Sequence, residues 1–403
     1  MKKLIFGIVF ILLFLTPKNV KSIESPLVLN IVYRGQAELI NHKPYLIKSG
    51  KSKKGKVSVV ARDVPMAILD TEKNEIIIIR ATVSVERDVY INGRIEKIVD
   101  VKNVRPADFY VVKNNGNGIN TSFYVTRNGK YYPFLGWHYI KHDNGETLVY
   151  SPYSDFFALP DVISFGREYL MSAITLGNED LKGLRVFSRA IDDRFIADVI
   201  PVRLIANLAL IEHMDHNEYE DMGEVYMTNK VLTQFALNRE NTFSYSRSSV
   251  GALCLMQIMR TTYGGSRSKK GKLAPGVLQL YPLARLPVNP VAGSCDSHSG
   301  AAKVAALVLD DKLASMPEDF LNQFSDDPKR FGYVLAAAYN GGASRAIRIY
   351  RHVGEPRIFE LIKNLFSYLT HGRSDFREYN LLREETWIFV KKYFEVDKEL
   401  HKK

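Results

Sequence analysis

The sequence lacks the motifs that mark several large classes of protein. It has no glycine-rich phosphate-binding loop, which marks nucleotide-binding proteins. It has no Gly-x-Ser-x-Gly elbow, which marks serine hydrolases. It also has no arginine-rich arm or nucleic-acid-binding motif, and we expect no nucleic acid partner. His213 and His216 are spaced to face one side of a helix, but no zinc-enzyme motif surrounds them. The sequence therefore predicts no metal or other cofactor.

The apolar run at the amino terminus is too short to cross a bilayer comfortably. Residues 4–15 form this run of about twelve residues, whereas a spanning helix needs roughly 20. Lys2 and Lys3 precede it, and Val20 and Ser22 put small residues at the two positions that a signal peptidase reads. No cysteine near its end could accept an amino-terminal lipid. We therefore predict a signal peptide over residues 1–22 and a periplasmic or secreted protein, which an uncleaved signal would tether to the inner membrane.

Cysteine is scarce, with only Cys254 and Cys295 among 403 residues. Export to an oxidising compartment allows the two to form a disulfide, and two buried free thiols are the alternative that the sequence leaves open. The formal net charge of +11 favours an anionic partner. Peptidoglycan, with its peptide carboxylates, is such a partner, and export favours it over nucleic acid.

The chain divides into two parts of different composition. Its length and a hydrophobic content of 46% predict two domains. Strand-forming segments separated by Asn and Gly are predicted over residues 27–32, 56–61, 75–85, 109–112, 122–125 and 147–150. Helical periodicity then predicts helices over residues 162–176, 195–216, 226–240, 300–313, 332–339 and 384–395. We therefore predict an α+β protein with a β-rich domain over residues 23–160, of unassigned role, and a helical domain over residues 161–403.

Two short strings in the helical half carry the strongest functional signal. Residues 248–259 read Ser-Ser-Val-Gly-Ala-Leu-Cys-Leu-Met-Gln-Ile-Met, and residues 336–342 read Ala-Ala-Ala-Tyr-Asn-Gly-Gly. The first resembles the Ser-x-x-Gly-Ala-x-Gly-Leu-Met-Gln-Ile-Met signature of the lytic transglycosylases that cleave bacterial peptidoglycan, and the second resembles their Ala-Tyr-Asn motif. Cys254 departs from the signature because it stands where the family has Gly. The resemblance covers approximately residues 200–395 and implies an all-α, goose-type lysozyme-like domain.

A glycosidase of this kind needs a carboxyl group that keeps its proton well above the usual pKa of about 4.3. Burial among apolar groups has this effect. Leu232, Ala236 and Glu240 recur at helical spacing, which predicts that the Glu240 carboxyl faces a partly dry pocket. In the family the acid closes a helix, an aromatic residue often follows at plus three, and the signature Ser follows at about plus nine. Here Phe243 stands at plus three and Ser248 at plus eight.

Glu240 is therefore the predicted catalytic residue, and Glu212 is the alternative. Glu212 also lies on an apolar helix, but its distance from Ser248 would require an insertion of more than 20 residues within the family's pattern. The matched strings contain no second carboxylate of the kind that most glycosidases use. This absence fits the resemblance, because a lytic transglycosylase uses one Glu first as acid and then as base.

The resemblance also assigns substrate-binding residues. It implies that Ser248 hydrogen-bonds in the active site, that Gln257 and Met259 line the sugar groove, and that the Tyr339 phenol points at the catalytic Glu. An amide can donate and accept hydrogen bonds with hydroxyl and acetamido groups, and a thioether forms a soft apolar wall. Glu385 lies in a string, Glu-Thr-Trp-Ile-Phe-Val, that loosely resembles the family's Glu-Thr-Arg-x-Tyr-Val. Glu385 is therefore a candidate contact for a sugar or a stem peptide.

The expected activity is cleavage of the bond between N-acetylmuramic acid and N-acetylglucosamine. The catalytic Glu would protonate the leaving oxygen and then deprotonate the 6-hydroxyl of the same muramic acid ring, which closes a 1,6-anhydro product. The expected partners are peptidoglycan glycan strands. Binding to other proteins of the cell envelope is a further possibility that the sequence leaves open. Two alternatives stay open: a hydrolytic muramidase, and a non-catalytic peptidoglycan-binding scaffold with a lysozyme-like fold.

Overall fold

The computed structural model describes residues 26–48, 59–84, 87–91, 94–98, 101–113, 122–140, 145–248, 250–267, 273–352 and 384–400. The predicted signal peptide lies outside these residues. The fold is α+β, with a β-rich amino-terminal part followed by helices, as the sequence predicts.

The amino-terminal part contains eleven described strands in three antiparallel groups. They are β1 (Tyr45–Lys48), β2 (Val59–Asp70), β3 (Glu75–Ser84), β4 (Arg87–Ile91), β5 (Arg94–Ile98), β6 (Val101–Arg105), β7 (Tyr110–Lys113), β8 (Phe123–Arg127), β9 (Lys130–Tyr132), β10 (Phe134–Ile140) and β11 (Thr147–Tyr150). The main sheet has the order β11-β10-β2-β3-β6, and β1 also pairs with β2. A three-stranded sheet, β7-β8-β9, and the hairpin β4-β5 complete this part.

The predicted strand over residues 27–32 is wrong, because these residues belong to a helix, α1 (Leu27–Ile40). Leu29, Val32 and Leu39 are fully buried and recur at helical spacing on the face that packs on the sheet. A short apolar run fits both kinds of element, so periodicity alone did not separate them. The strand over residues 147–150 is confirmed, whereas β1, β4, β5, β6, β9 and β10 were not predicted.

Helices dominate from Pro160, where the composition changes. They are α2 (Pro160–Gly183), α3 (Ile196–Val199), α4 (Val202–Ile211), α5 (His216–Asn238), α6 (Arg260–Gly264), α7 (Val277–Leu280), α8 (Pro290–Cys295), α9 (His298–Leu313), α10 (Glu318–Asp326), α11 (Pro328–Gly341), α12 (Ala343–His352) and α13 (Glu384–Leu400). Two short strands, β12 (Ser266–Arg267) and β13 (Leu273–Ala274), pair with each other. The helix predicted over residues 195–216 is divided at Pro201, because a residue before proline is driven away from helical conformation.

The helices enclose one large hydrophobic core around α9. Most of α9 is buried, including the run from Ala301 to Asp310. Gly177 of α2 allows the close approach of α2 to α9, because a Cβ at this position would lie 2.5 Å from the Ser299 carbonyl oxygen. No helix in the described part of the chain is long and apolar enough to cross a membrane.

The carboxyl end of α5 is fixed against the β-rich part. The Tyr33 hydroxyl of α1 donates to the Ala236 carbonyl at 2.6 Å. The Asn238 amide group accepts from the Ser151 backbone N–H and donates to the Ser151 carbonyl, both at 2.7 Å. The segment that follows α5 and carries the first motif therefore starts from a firmly held point.

Candidate functional site

The first motif forms an irregular segment between α5 and α6. Leu253 and Ile258 exchange backbone hydrogen bonds of 3.1 and 3.2 Å, which closes a tight turn. Within this turn Cys254 and Gln257 adopt left-handed conformations, with φ of 54° and 46°. A residue with a side chain rarely adopts such a φ, which explains why Gly suits the position of Cys254 in the motif that the sequence resembles.

A disulfide joins Cys254 to Cys295, with a Cα–Cα distance of 5.2 Å. Of the two alternatives that the sequence left open, the structure therefore has the bonded pair. The bond ties the turn of the first motif to the end of α8. It restrains Cys254 in the unusual conformation that the turn requires.

The polar residues predicted to contact sugar are engaged within this segment. The Ser248 hydroxyl accepts from the Ala252 backbone N–H at 3.0 Å. The Gln257 side-chain nitrogen donates to the Cys254 carbonyl at 2.7 Å. Met259 is half-buried and directly precedes α6. Ser248 and Gln257 thus hold the motif together, and contacts of all three residues with a sugar stay a prediction.

Glu240 does not lie in the dry pocket that its spacing predicted. Helix α5 ends at Asn238, and Arg239 has a φ of 47°, so the apolar stripe stops before Glu240. Glu240 is exposed in the short 3-10 turn Arg239–Asn241. Its carboxylate accepts a hydrogen bond of 2.8 Å from the backbone N–H of His298, the first residue of α9. These are the contacts of a carboxylate that caps a helix.

Glu240 also lines an open cavity of about 330 Å³ next to the disulfide. Its other lining residues are Glu146, Asn241, Ser244, Tyr245, Arg247, Cys254, Val291, Cys295 and Asp296. Tyr169 lies near Glu240. Burial, and secondly the charge of the Glu240 carboxylate, raise the pKa of the Tyr169 phenol. Tyr169 also hydrogen-bonds His298 at 3.1 Å.

The second motif meets the first through Tyr339, near the end of α11. The Tyr339 hydroxyl donates to the Met256 carbonyl at 2.5 Å. Burial first, and then the charge of Glu212, raise the pKa of this phenol well above its usual value. The carboxyl group that acts on Tyr339 is therefore Glu212, not Glu240.

Glu212 lies at the end of a helix, and its carboxyl group has a strongly raised pKa. It directly follows α4, where the carbonyl end of the helix disfavours negative charge. The residue keeps some exposure, but protein atoms surround its carboxyl group. Burial raises the pKa of Glu212 to about 8, while the positive charge of Lys392 acts in the opposite direction. At neutral pH this carboxyl group keeps its proton.

His213, next to Glu212, was not assigned a role from the sequence. Its ring stacks on Phe243, with centroids 3.6 Å apart and planes 1° from parallel. Its Nε2–H donates to the Leu255 carbonyl at 2.8 Å. Burial lowers the pKa of His213 to about 3, so the ring is neutral at pH 7. His213 and Tyr339 thus hydrogen-bond the consecutive carbonyls of Leu255 and Met256. In the sequence, the sign of a role for His213 was its position directly after Glu212.

The last described helix, α13, contributes a buried lysine to this region. The Lys392 ammonium donates to the Met214 carbonyl at 2.8 Å, and burial lowers the pKa of Lys392 to about 8. Glu385 of the same helix is exposed, while Thr386 is buried and donates to the Asn340 side chain at 2.9 Å. Contact of Glu385 with a sugar or a stem peptide stays a prediction.

No cluster of three His, Cys, Asp or Glu side chains suited to a metal occurs among the residues that the structure describes. His213 binds Leu255, and the Asp215 carboxylate instead caps α5 by accepting from the Glu218 N–H at 3.0 Å. Comparison of the chain with protein-family models, curated proteins and solved structures finds no match in any of the three.

Proposed function

We propose that the protein is a cell-envelope glycosidase that cleaves peptidoglycan glycan strands as a lytic transglycosylase, with Glu212 as its acid and base. The observation that supports this most directly is that both motifs meet at a backbone segment held by His213, which directly follows Glu212. Tyr339 of the second motif donates a hydrogen bond to the Met256 carbonyl of the first, and His213 donates to the adjacent Leu255 carbonyl. A helical domain after a β-rich part also agrees with the fold that the motifs imply.

Glu212 has the protonation state that the first chemical step requires. With a pKa of about 8 it holds a proton at pH 7 and can donate it to the glycosidic oxygen as the bond to muramic acid C1 breaks. The resulting carboxylate then accepts the proton of the 6-hydroxyl as that oxygen bonds to C1. The products are a shortened glycan and a 1,6-anhydromuramic acid end, and no water is consumed.

Glu212 is preferred to Glu240 because of their surroundings. Glu240 is exposed, and its carboxylate is engaged by a backbone N–H at the start of α9. Glu212 is surrounded by protein at the carbonyl end of α4. The insertion that argued against Glu212 corresponds to α5 and the turns that flank it. His213, which directly follows Glu212, still hydrogen-bonds Leu255 of the first motif.

Other residues of the motifs would shape the groove. Tyr339 would fix the Leu255–Met256 backbone through its hydrogen bond to Met256. Ser248, Gln257 and Met259, which lie on the same constrained segment, are proposed to contact the sugar, as the resemblance implies. The positive net charge agrees with an anionic polymer as substrate.

The test compares the signal-free protein with Glu212→Gln and with Glu240→Gln as the matched carboxylate control. Each protein is incubated with purified sacculi, and the soluble products are identified by mass spectrometry. We expect anhydromuropeptides from the wild type and from Glu240→Gln, and none from Glu212→Gln. Activity that survives in Glu212→Gln and disappears in Glu240→Gln would return the acid role to Glu240. Retained sacculus binding with no product from the wild type would indicate a scaffold.

A further inference from the structure

Helix α13 brings a buried ammonium group to the turn that carries Glu212. Lys392 is only 5% exposed. Its Nζ donates to the carbonyl of Met214, two residues after Glu212, at 2.8 Å. The same atom lies 5.0 Å from the centre of the Tyr219 ring, which offers a cation–π contact. The ammonium group is therefore fixed by a carbonyl and an aromatic face beside the end of α4.

The charged groups around Lys392 come from three elements. Glu212 belongs to the turn after α4, Asp215 and Glu220 belong to the start of α5, and Lys391 precedes Lys392 on α13. The three carboxyl groups favour the cation, whereas burial and Lys391 disfavour it. With a pKa of about 8, Lys392 is mainly cationic at pH 7. At pH 7 it therefore carries its charge when Glu212 donates its proton.

We propose that Lys392 is a positioning residue for Glu212: its ammonium group stabilises the carboxylate that Glu212 leaves after donating its proton to the glycosidic oxygen. This inference rests on the proposed function. A carboxylate surrounded by protein is costly unless a nearby charge or hydrogen bond compensates it. Lys392 transfers no proton and contacts no reacting atom. It reduces the energy difference between the two protonation states that Glu212 must visit in one catalytic cycle.

The first test is the pH profile of activity on sacculi. Lys392→Met removes the charge and keeps most of the side-chain volume, and Lys392→Arg restores the charge. Lys391→Met is the control, because it removes the adjacent ammonium, which lies at a similar distance of 5.3 Å from the Tyr219 ring. A nearby cation lowers the pKa of a carboxyl group by about one unit or more. We therefore expect the alkaline limb of the kcat/KM–pH profile to move to higher pH by about one unit in Lys392→Met.

Lys392→Arg and Lys391→Met are expected to keep the limb near its wild-type position. A purely structural role would lower the activity of Lys392→Met without moving the limb, and that result would overturn the inference. Lys392→Gln is a second neutral variant in case Lys392→Met fails to fold.

A second test does not depend on activity. The urea midpoints of Glu212→Gln, Lys392→Met and the double variant are compared with the wild type at pH 8. Non-additive shifts are expected, because removal of one charge changes the effect of removing the other. Additive shifts would overturn the inference. If the wild type releases no anhydromuropeptide, the proposed function fails, and the midpoints still decide whether the two residues are coupled.

Discussion

Glu212→Gln is predicted to stabilise the protein at alkaline pH. The Glu212 carboxyl has a pKa of about 8 in the folded protein against about 4.5 in the unfolded chain. Because the folded state holds the proton more tightly, the stability contributed by this proton is complete below pH 4.5 and is lost as the pH rises to about 8. The interval between the two values corresponds to a ceiling of about 5 kcal/mol. Partial exposure of Glu212 reduces this ceiling, so we expect a gain of about 1–3 kcal/mol for Gln at pH 9.

The assay is urea unfolding of both proteins at pH 5, 7 and 9, followed by the fluorescence of the buried Trp137 and Trp387. The stability of Glu212→Gln relative to the wild type should rise across this range and level off above about pH 8. Glu240→Gln is the control at an exposed carboxylate, and it should lose rather than gain stability because His298 loses a charged acceptor. A Glu212→Gln difference that stays constant from pH 5 to pH 9 would refute the assignment of a buried, protonated Glu212.

Three further predictions concern the contacts around the site. Tyr339→Phe removes the hydrogen bond to Met256 and should cost about 1–2 kcal/mol of stability in thermal unfolding. It should also lower kcat by a larger factor than sacculus binding, and an unchanged kcat would contradict the role of Tyr339 in shaping the site. Cys295→Ser opens the disulfide, which links residues 41 apart, and should cost about 2–4 kcal/mol in urea unfolding, whereas an equal midpoint would show that the turn holds without it. Asn238→Ala removes both hydrogen bonds to Ser151 and should cost about 1–3 kcal/mol, again by urea unfolding; a shift below about 0.5 kcal/mol would contradict the joint between α5 and the β-rich part.

Local sequence patterns predicted much of the fold. The strand over residues 147–150 and the change to helices at Pro160 follow from composition and periodicity. The helix Leu27–Ile40 was missed because its apolar spacing becomes evident only beyond the short run that suggested a strand. Strand Phe134–Ile140 is buried on both faces for most of its length, so it lacks the alternation that reveals a half-exposed strand.

The site was predicted only in part, because its geometry depends on contacts between distant segments. The two motif strings located the segments that meet through Met256 and Tyr339. The expected dry pocket at Glu240 is wrong because helical spacing was extended past Asn238, where the positive φ of Arg239 turns the chain. The different surroundings of Glu212 and Glu240 arise from the packing of α11 and α13 on α4 and from the turn after α5, and local sequence does not show this packing.

The central claim is that one carboxyl group performs cleavage without water. The most direct measurement is digestion of sacculi by the signal-free protein in water enriched in oxygen-18, with mass analysis of the muramic acid ends. The account predicts 1,6-anhydro ends that carry no oxygen-18 and that disappear with Glu212→Gln. Reducing muramic acid ends labelled with oxygen-18 would contradict the account and identify a hydrolytic muramidase.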